Sequence, residues 1–346
     1  MKKRNLYDFE RDELGRLLQT WGFSEYHAGQ VWRYLYCQQV QALDEMVDLR
    51  PDLLARLQAH TTLFRPALVM EQQSGDGTRK FLLRLEDGQM VETVLMPYRN
   101  RYTACISTQV GCAMGCVFCA TGQMGFTRHL APGEIVGQVL HAEKEAYGAR
   151  QLRNIVLMGM GEPLHNYDAT MMALKILTDD KGLAIGPRYI TLSTVGLPSA
   201  IRRLADETTP VNLAVSLHGA SDAARNALVP LGRRWNLDEL IDACRYYSAE
   251  RERRIFFEWT LIAGENDTPE QAHALGRLLQ GMEAHVNLIP LNPTNEYGGA
   301  ASRSDAIDRF KAILDQYGLP STVRQRRGID IDAGCGQLRK RKTLPQ

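Results

Sequence analysis

Short strand-like runs alternate with amphipathic helical segments from residue 101 onward, and this alternation constrains the fold more than any other feature. The runs rich in β-branched residues are 103–108, 154–158, 189–194, 211–217, 255–261 and 286–291. Helical segments follow near 132–147, 168–179, 198–206, 237–252, 269–282 and 303–317. Strands separated by helices pair in parallel through right-handed crossovers. Six units are too few for an eight-stranded barrel. We therefore predict an α/β fold with a six-stranded partial (β/α) barrel; a doubly wound sheet is the alternative.

Two smaller regions precede the barrel. Residues 8–60 place apolar side chains at helical spacing, as in Leu14, Leu18 and Trp21. Residues 80–85 and 90–96 are typical of two strands joined by the Asp87-Gly88 turn. We predict a helical, RNA-binding amino-terminal domain over 1–62, a β extension over 63–100, the barrel over 101–320 and a carboxyl-terminal segment over 321–346.

Charge and hydropathy indicate whether the chain is expected to bind nucleic acids or membranes. The 41 Lys and Arg nearly balance the 40 Asp and Glu, so the net charge does not indicate nucleic acid. Basic residues do cluster at Lys2, Lys3 and Arg4 and between 324 and 342. Such ends can neutralise phosphates; a solvated surface is the alternative. No apolar run approaches the about 20 residues that cross a bilayer, and the start lacks a secretory signal, so we expect a cytoplasmic protein that does not contact membranes.

Polar residues follow the predicted strands at the points where the strands end. In parallel α/β folds the carboxyl ends of the strands are where sites are built. One mouth of the barrel is therefore expected to collect these residues, which are Cys112, Cys116, Cys119, Gly161, Glu162, Ser193, Ser216, His218 and Asn292.

Four of the seven cysteines fall between 105 and 119, and three of them form the motif Cys112-Ala-Met-Gly-Cys116-Val-Phe-Cys119. A disulfide framework is not expected in a cytosolic chain. Three thiolates leave a zinc site one ligand short, but they suit a 4Fe–4S cluster with one iron open to a small molecule. Zinc with Cys105 as the fourth ligand is the alternative. Cys37 and Cys244 match no motif and are interpreted as structural.

The cysteine motif, with Phe118 before its last cysteine, resembles the radical S-adenosylmethionine (SAM) signature. Longer stretches are similar to the RlmN/Cfr family of RNA adenine methyltransferases, namely 105–126, 158–164, 216–218, 287–293 and 328–338. One departure is Ala333-Gly334 before Cys335, where the family usually has two alanines. The resemblance covers nearly the whole chain and is nearer to the RlmN subgroup.

The resemblance implies two cofactors. A 4Fe–4S cluster would be held by Cys112, Cys116 and Cys119, and exchangeable SAM would bind its open iron. The residues implied in SAM binding are Gly161, Glu162, Ser193, Ser216, Leu217, His218 and Asn292.

The resemblance also implies catalytic roles. Cys335 takes a methyl group from one SAM and becomes S-methylcysteine. A second SAM yields a 5′-deoxyadenosyl radical that removes a hydrogen from this methyl group, and the methylene radical adds to adenine. Cys105 then forms a transient disulfide with Cys335, and Glu92 accepts the ring proton.

The sequence neighbours of Cys335 and Glu92 affect how well these two residues could fill the implied roles. Arg324, Arg326 and Arg327 would favour the Cys335 thiolate, whereas Asp330 and Asp332 would oppose it. Glu92 shares one strand face with Met90, Val94 and Met96, and this face is otherwise apolar. Partial burial would therefore raise its pKa towards that of a useful base; a solvent-facing position is the alternative.

The implied function is methylation of carbon 2 of an adenine in 23S rRNA, in the peptidyl-transferase centre, and in many members also of an adenine in the tRNA anticodon loop. Methylation of carbon 8, as in the Cfr subgroup, is one alternative. A radical SAM enzyme with another substrate and an RNA-binding module with a structural metal are the others. The expected partners are RNA and a one-electron reductant such as flavodoxin or ferredoxin, and we expect a monomer.

Overall fold

The computed structural model describes residues 3–146, 151–294 and 296–339. Its amino-terminal elements are β1 (Arg4–Asn5), α1 (Arg11–Thr20), α2 (Glu25–Tyr36), α3 (Pro51–His60) and β2 (Thr61–Thr62). Amphipathic spacing buries Leu14 and Leu18 of α1 against the core together with Trp32 of α2. Among the described helices, none has the length and apolar character needed to cross a membrane.

The rest of the chain supplies one large sheet, a small hairpin and the surrounding helices. Their bounds are β3 (Ala67–Gln73), β4 (Arg79–Arg84), β5 (Met90–Pro97), β6 (Arg101–Cys105), β7 (Gln109–Gly111), α4 (Ala120–Gln123), β8 (Phe126–His129), α5 (Pro132–Glu145), β9 (Gln151–Leu157), α6 (Tyr167–Thr178), β10 (Ile190–Thr194), α7 (Pro198–Ala205), β11 (Asn212–Ser216), α8 (Asp222–Leu228), α9 (Leu237–Arg251), β12 (Ile255–Leu261), α10 (Pro269–Leu279), β13 (Ala284–Pro290), α11 (Ser304–Gln316) and β14 (Ser321–Val323).

The large sheet has ten strands in the order β14-β13-β12-β11-β10-β9-β6-β5-β4-β3. Strands β6 and β9 to β14 pair in parallel, and β3 to β6 pair antiparallel. Each parallel strand lies beside the previous one in the chain, which is the arrangement of a (β/α) barrel and not of a doubly wound sheet. The six predicted parallel strands and the α/β class are confirmed.

Two strands of the sheet escaped the sequence analysis. Strand β14 is a further parallel strand at the edge of the sheet. It has only three residues, which is too short for a periodic hydrophobic pattern. Strand β3 ends in Glu71-Gln72-Gln73, which does not alternate apolar with polar residues. Because β5 pairs with β6, the predicted β extension continues the sheet of the barrel. The proposed domain boundaries stay predictions.

One buried amide joins the helical layer to the sheet. Gln138 of α5 is fully buried, as are Thr93 and Ser107. Its Oε1 accepts hydrogen bonds from the Ser107 N–H and from Thr93 Oγ1, both at 2.8 Å, and its Nε2 donates to the Ser107 carbonyl at 2.9 Å. Ser107 Oγ in turn accepts from the Met160 N–H at 2.9 Å. Gln138 therefore positions the loop that follows β6, and Ser107 of that loop in turn binds the loop that follows β9.

We expect Gln138→Leu to lower the free energy of unfolding by about 2–4 kcal/mol, because several buried polar groups lose their partner. Urea unfolding followed by circular dichroism measures this loss. Gln316→Leu, at an exposed position of α11, is the matched control and should change the stability little. Equal stability of the two variants would contradict the role given to Gln138.

Candidate active site

A cavity of about 140 Å³ lies at the carboxyl ends of the parallel strands. It brings together most of the residues predicted for the site, namely Cys112, Cys116, Cys119, Gly161, Glu162, Ser193, Ser216, His218, Asn292 and Cys335. Leu217, by contrast, is fully buried in the hydrophobic core and adds no side chain to the cavity wall. We call this space the first cavity.

The three motif cysteines lie on a loop between β7 and α4. The loop is tied to the end of α8 by the Val117 N–H, which donates to the Leu228 carbonyl at 3.1 Å. Burial raises the pKa of Cys112 to about 12 and that of Cys116 well above its usual value. Thiols in such a site ionise only when a cation binds them.

The arrangement does not support the zinc alternative. Cys105 lines a neighbouring cavity and not the first one. Within residues 3–146, 151–294 and 296–339, no three His, Cys, Asp or Glu side chains are grouped so that they could hold one metal ion. Cys112, Cys116 and Cys119 all line the first cavity.

Glu162 is a buried carboxyl group held by backbone donors. Its Oε2 accepts from the Val195 N–H at 2.8 Å and its Oε1 from the Leu164 N–H at 3.0 Å. Burial nevertheless raises its pKa to about 7. The preceding Gly161 has φ +104°, and a Cβ there would lie 2.6 Å from Gln109 Cβ, so this turn requires glycine.

His218 presents a neutral ring to the first cavity. Its Nδ1 accepts from the Thr260 N–H at 3.0 Å, which leaves the proton on Nε2. Burial, with Arg225 nearby, lowers its pKa to about 3, so the ring is neutral at physiological pH. The ring of Phe118 packs edge-on against it with centroids 4.8 Å apart.

Asn292 links the first cavity to the carboxyl-terminal segment. Its Nδ2 donates to the Cys335 carbonyl at 3.0 Å. Its Oδ1 is buried and has no hydrogen-bond partner among the described residues. A buried acceptor without a partner is costly, so this oxygen is available to a ligand in the cavity.

A second cavity, of about 330 Å³, adjoins the first and shares Met158, Ile289, Asn292 and Cys335 with it. Its wall also contains Cys105, so the two cysteines predicted to pair line the same space. The remaining lining combines apolar and cationic side chains, among them Met96, Tyr98, Val156, Arg324, Arg326 and Arg327.

The charges around Cys335 differ in part from those expected. Cys335 is an exposed residue, but partial removal of its sulfur from water raises its pKa; Arg324 lowers it, and Glu258 raises it. Asp330 and Asp332 bind elsewhere, to Ser74 Oγ at 2.6 Å and to Arg339 at 3.3 Å respectively.

Glu258 is a residue that the sequence analysis missed. It lies in β12, lines the first cavity and is buried; Asn287 Nδ2 donates to its Oε1 at 2.8 Å. Burial raises its pKa. The available signal was a single acid within the otherwise uncharged run Ile255–Leu261.

Glu92 is fully buried in β5, so a solvent-facing position is wrong. Its Oε1 lies 3.2 Å from Lys80 Nζ, and its Oε2 accepts from the Arg339 N–H at 2.9 Å. The sequence analysis missed Lys80, a charged residue in a strand whose side chains are almost all buried.

The basic residues near the two ends of the chain differ in their contacts. Lys3 donates to the Gln58 carbonyl, and Arg4 pairs with Glu13 and stacks on Phe9. Arg327 stacks on Tyr98 with 4.7 Å between its Cζ and the ring centroid. Lys2, Lys340, Arg341 and Lys342 lie outside the described residues.

Comparison with known proteins gives consistent matches along the chain. The profile of the radical SAM superfamily matches residues 106–275, and that of the ribosomal RNA large subunit methyltransferase N-terminal domain matches residues 4–63. The dual-specificity RNA methyltransferase RlmN 1 of Myxococcus xanthus is 62% identical, over 99% of this chain and 97% of the relative. The probable dual-specificity RNA methyltransferase RlmN 2 of Opitutus terrae is 52% identical, over 96% and 86%.

A solved structure agrees with these relatives. The crystal structure of a radical SAM methyltransferase from Sphaerobacter thermophilus matches with a TM-score of 0.93 and 49% identity, covering 97% of this chain and 99% of that one. The described chain thus shares both its fold and its sequence with methyltransferases. It belongs to the RlmN family of radical SAM RNA methyltransferases.

Proposed function

We propose that this enzyme methylates carbon 2 of an adenine in 23S rRNA, and of an adenine in the tRNA anticodon loop, through an S-methylcysteine at residue 335. The names of its relatives, dual-specificity RNA methyltransferases of the RlmN type, support RNA as the substrate and favour carbon 2 over the carbon-8 alternative. The observation that carries the proposal is that Cys335 lines two adjoining cavities, one suited to the cofactors and one to RNA.

The first cavity fits the two cofactors that the radical SAM superfamily implies. Cys112, Cys116 and Cys119 would hold a 4Fe–4S cluster. The buried Glu162 carboxyl group, the Nε2–H of His218 and the unpartnered Asn292 Oδ1 offer complementary groups to SAM, together with Ser193, Ser216 and the Gly161 backbone. When bound, the cluster and SAM supply the methyl group and the single-electron chemistry that activates an unreactive methyl carbon.

The second cavity suits a nucleotide. Met96, Val156 and Met158 provide apolar surface for a base, beside the Tyr98 ring on which Arg327 stacks. Arg324, Arg326 and Arg327 provide positive charge for phosphates. A single adenosine extruded from its stack would thus bring its ring to Cys335 and Cys105.

The chain's own residues then act on the methylated intermediate. Glu92 accepts the ring hydrogen as a proton, and the bonding pair stays in the ring. The unpaired electron left by the radical addition must also leave the ring, to a one-electron acceptor that the cluster or the external redox partner would supply. The Cys105 thiolate attacks the Cys335 sulfur; a sulfur–sulfur bond forms, and the sulfur–carbon bond breaks with its pair going to the carbon, which takes up a proton. An external dithiol must then reduce the disulfide.

Further partners complete the proposal. The enzyme is proposed to act as a monomer. The electrons would come from a one-electron reductant such as flavodoxin or ferredoxin. Ribosomal and transfer RNA are the substrates, so the cytoplasm is the proposed compartment.

Mapping the modified nucleotide tests the function. We expect RNA from cells that lack the native activity to gain 2-methyladenine when incubated with reconstituted enzyme, SAM and reductant, because the named relatives belong to the RlmN type. Mass spectrometry of nuclease digests identifies the modified position. Formation of 8-methyladenine alone, or of no methylated base in rRNA and tRNA, would refute the proposal.

Substitution of the two cysteines tests the carrier route. Cys335→Ala should abolish RNA methylation while the iron content stays unchanged, because residue 335 is not a cluster ligand. Cys105→Ala should still methylate Cys335 but accumulate a covalent protein–RNA adduct, because nothing cleaves the sulfur–carbon bond. Gel shifts under denaturing conditions and peptide mass spectrometry detect both states.

The matched control is Cys37→Ala, at an exposed cysteine of the amino-terminal domain. It should behave as the unmodified enzyme does. Methylated RNA produced by Cys335→Ala would contradict the carrier role, and normal release by Cys105→Ala would contradict the resolving role.

A further inference from the structure

Lys80 and Glu92 form an ion pair that is almost completely removed from solvent. The two side chains are 1% and 0% exposed, and Lys80 Nζ lies 3.2 Å from Glu92 Oε1. Charges buried to this extent are costly unless they are paired. The strands hold the pair in place: Leu82 of β4 lies opposite Glu92 of β5, so Lys80 occupies the diagonal position.

The pair also contacts the segment that carries Cys335, on both sides of the cysteine. Lys80 Nζ donates to the Asp332 carbonyl at 3.1 Å, three residues before Cys335. Glu92 Oε2 accepts from the Arg339 N–H at 2.9 Å, four residues after it. The ion pair and the Cys335 segment therefore form one connected unit.

We propose that Lys80 is the positioning residue of the proton acceptor Glu92, orienting its carboxyl group through the Nζ–Oε1 contact and tying it to the segment of Cys335. This proposal rests on the proposed function, in which Glu92 accepts the ring proton. The ammonium group 3.2 Å from Oε1 restricts the orientation of this carboxyl group between two neighbouring strands.

The two oxygens of Glu92 have different partners, and the difference suits the role. Lys80 holds Oε1 from within the sheet, where neither group is exposed. The N–H that binds Oε2 belongs to the carboxyl-terminal segment. Glu92 is thus connected through one oxygen to Lys80 in the sheet and through the other to the segment of Cys335.

A double-mutant cycle tests the proposal. Lys80→Met, Glu92→Gln and the double variant are compared with the unmodified enzyme in single-turnover reactions with RNA. The readouts are the methylation of Cys335, the binding of RNA, and the ratio of released methylated RNA to covalent protein–RNA adduct. Lys175→Met, which breaks an exposed pair with Glu10, is the matched control.

We expect Lys80→Met to keep the methylation of Cys335 and the binding of RNA, but to lower the ratio of released RNA to adduct at least tenfold. Glu92→Gln should give the same loss. The double variant should lose no more than Glu92→Gln alone, because Lys80 acts through Glu92. The control should release RNA normally. If Lys80→Met does not fold, as a thermal melt would reveal, Lys80→Gln replaces it with the same expectation.

Two results would overturn the role of Lys80 while leaving that of Glu92 intact. One is normal release by Lys80→Met alongside the loss in Glu92→Gln. The other is a double variant whose loss is the product of the two single losses, which indicates an independent, structural effect. Normal release by Glu92→Gln would instead refute the proposed proton acceptor, and the proposal for Lys80 with it.

Discussion

One sulfur atom, that of Cys335, must serve two cavities in the proposed reaction. Cys335 lines both, and the Asn292 Nδ2–H holds its carbonyl at 3.0 Å. The next residue, Gly336, has φ +80°, and its carbonyl accepts from the Ala120 N–H at 2.7 Å. The segment is thus bound beside the helix that follows the cluster motif. A carrier in this position can receive a group in one cavity and deliver it in the other.

Burial controls the chemistry of the groups around that sulfur. The same removal from water gives a neutral His218, a Glu162 with a pKa near neutrality and thiols that ionise only beside a cation. Glu92 is buried as deeply, but it has Lys80 beside it. Two buried carboxyl groups thus have different surroundings: Glu162 accepts from backbone N–H groups at the first cavity, and Glu92, which lines neither cavity, lies beside an ammonium group in the sheet.

Much of this could be predicted from the sequence, because strand-and-helix alternation and the cysteine spacing are local patterns. The site residues that follow the strands could be predicted to lie close together, because the carboxyl ends of parallel strands lie at one edge of the sheet. Leu217 was expected in the cofactor site, yet its side chain faces the core, which neighbours in the sequence cannot reveal. The contacts of Lys80, Glu258 and Asn287 could not be predicted from the sequence, because their partners lie on neighbouring strands or in distant segments. The acid that raises the pKa of Cys335 is Glu258, and not Asp330 or Asp332. The sequence could not predict this, because Glu258 is close to Cys335 in space but far from it in the chain.

The fate of the donor hydrogens tests the central claim most directly. The enzyme would be supplied with SAM whose methyl group carries three deuterium atoms, and the methylated adenine would be analysed by mass spectrometry. A carrier at Cys335 loses one deuterium when the methyl group is activated and gains one hydrogen from water on release, so the product methyl should contain two deuterium atoms. A product methyl that keeps all three would mean that the group passes intact from SAM to RNA, and would contradict the account.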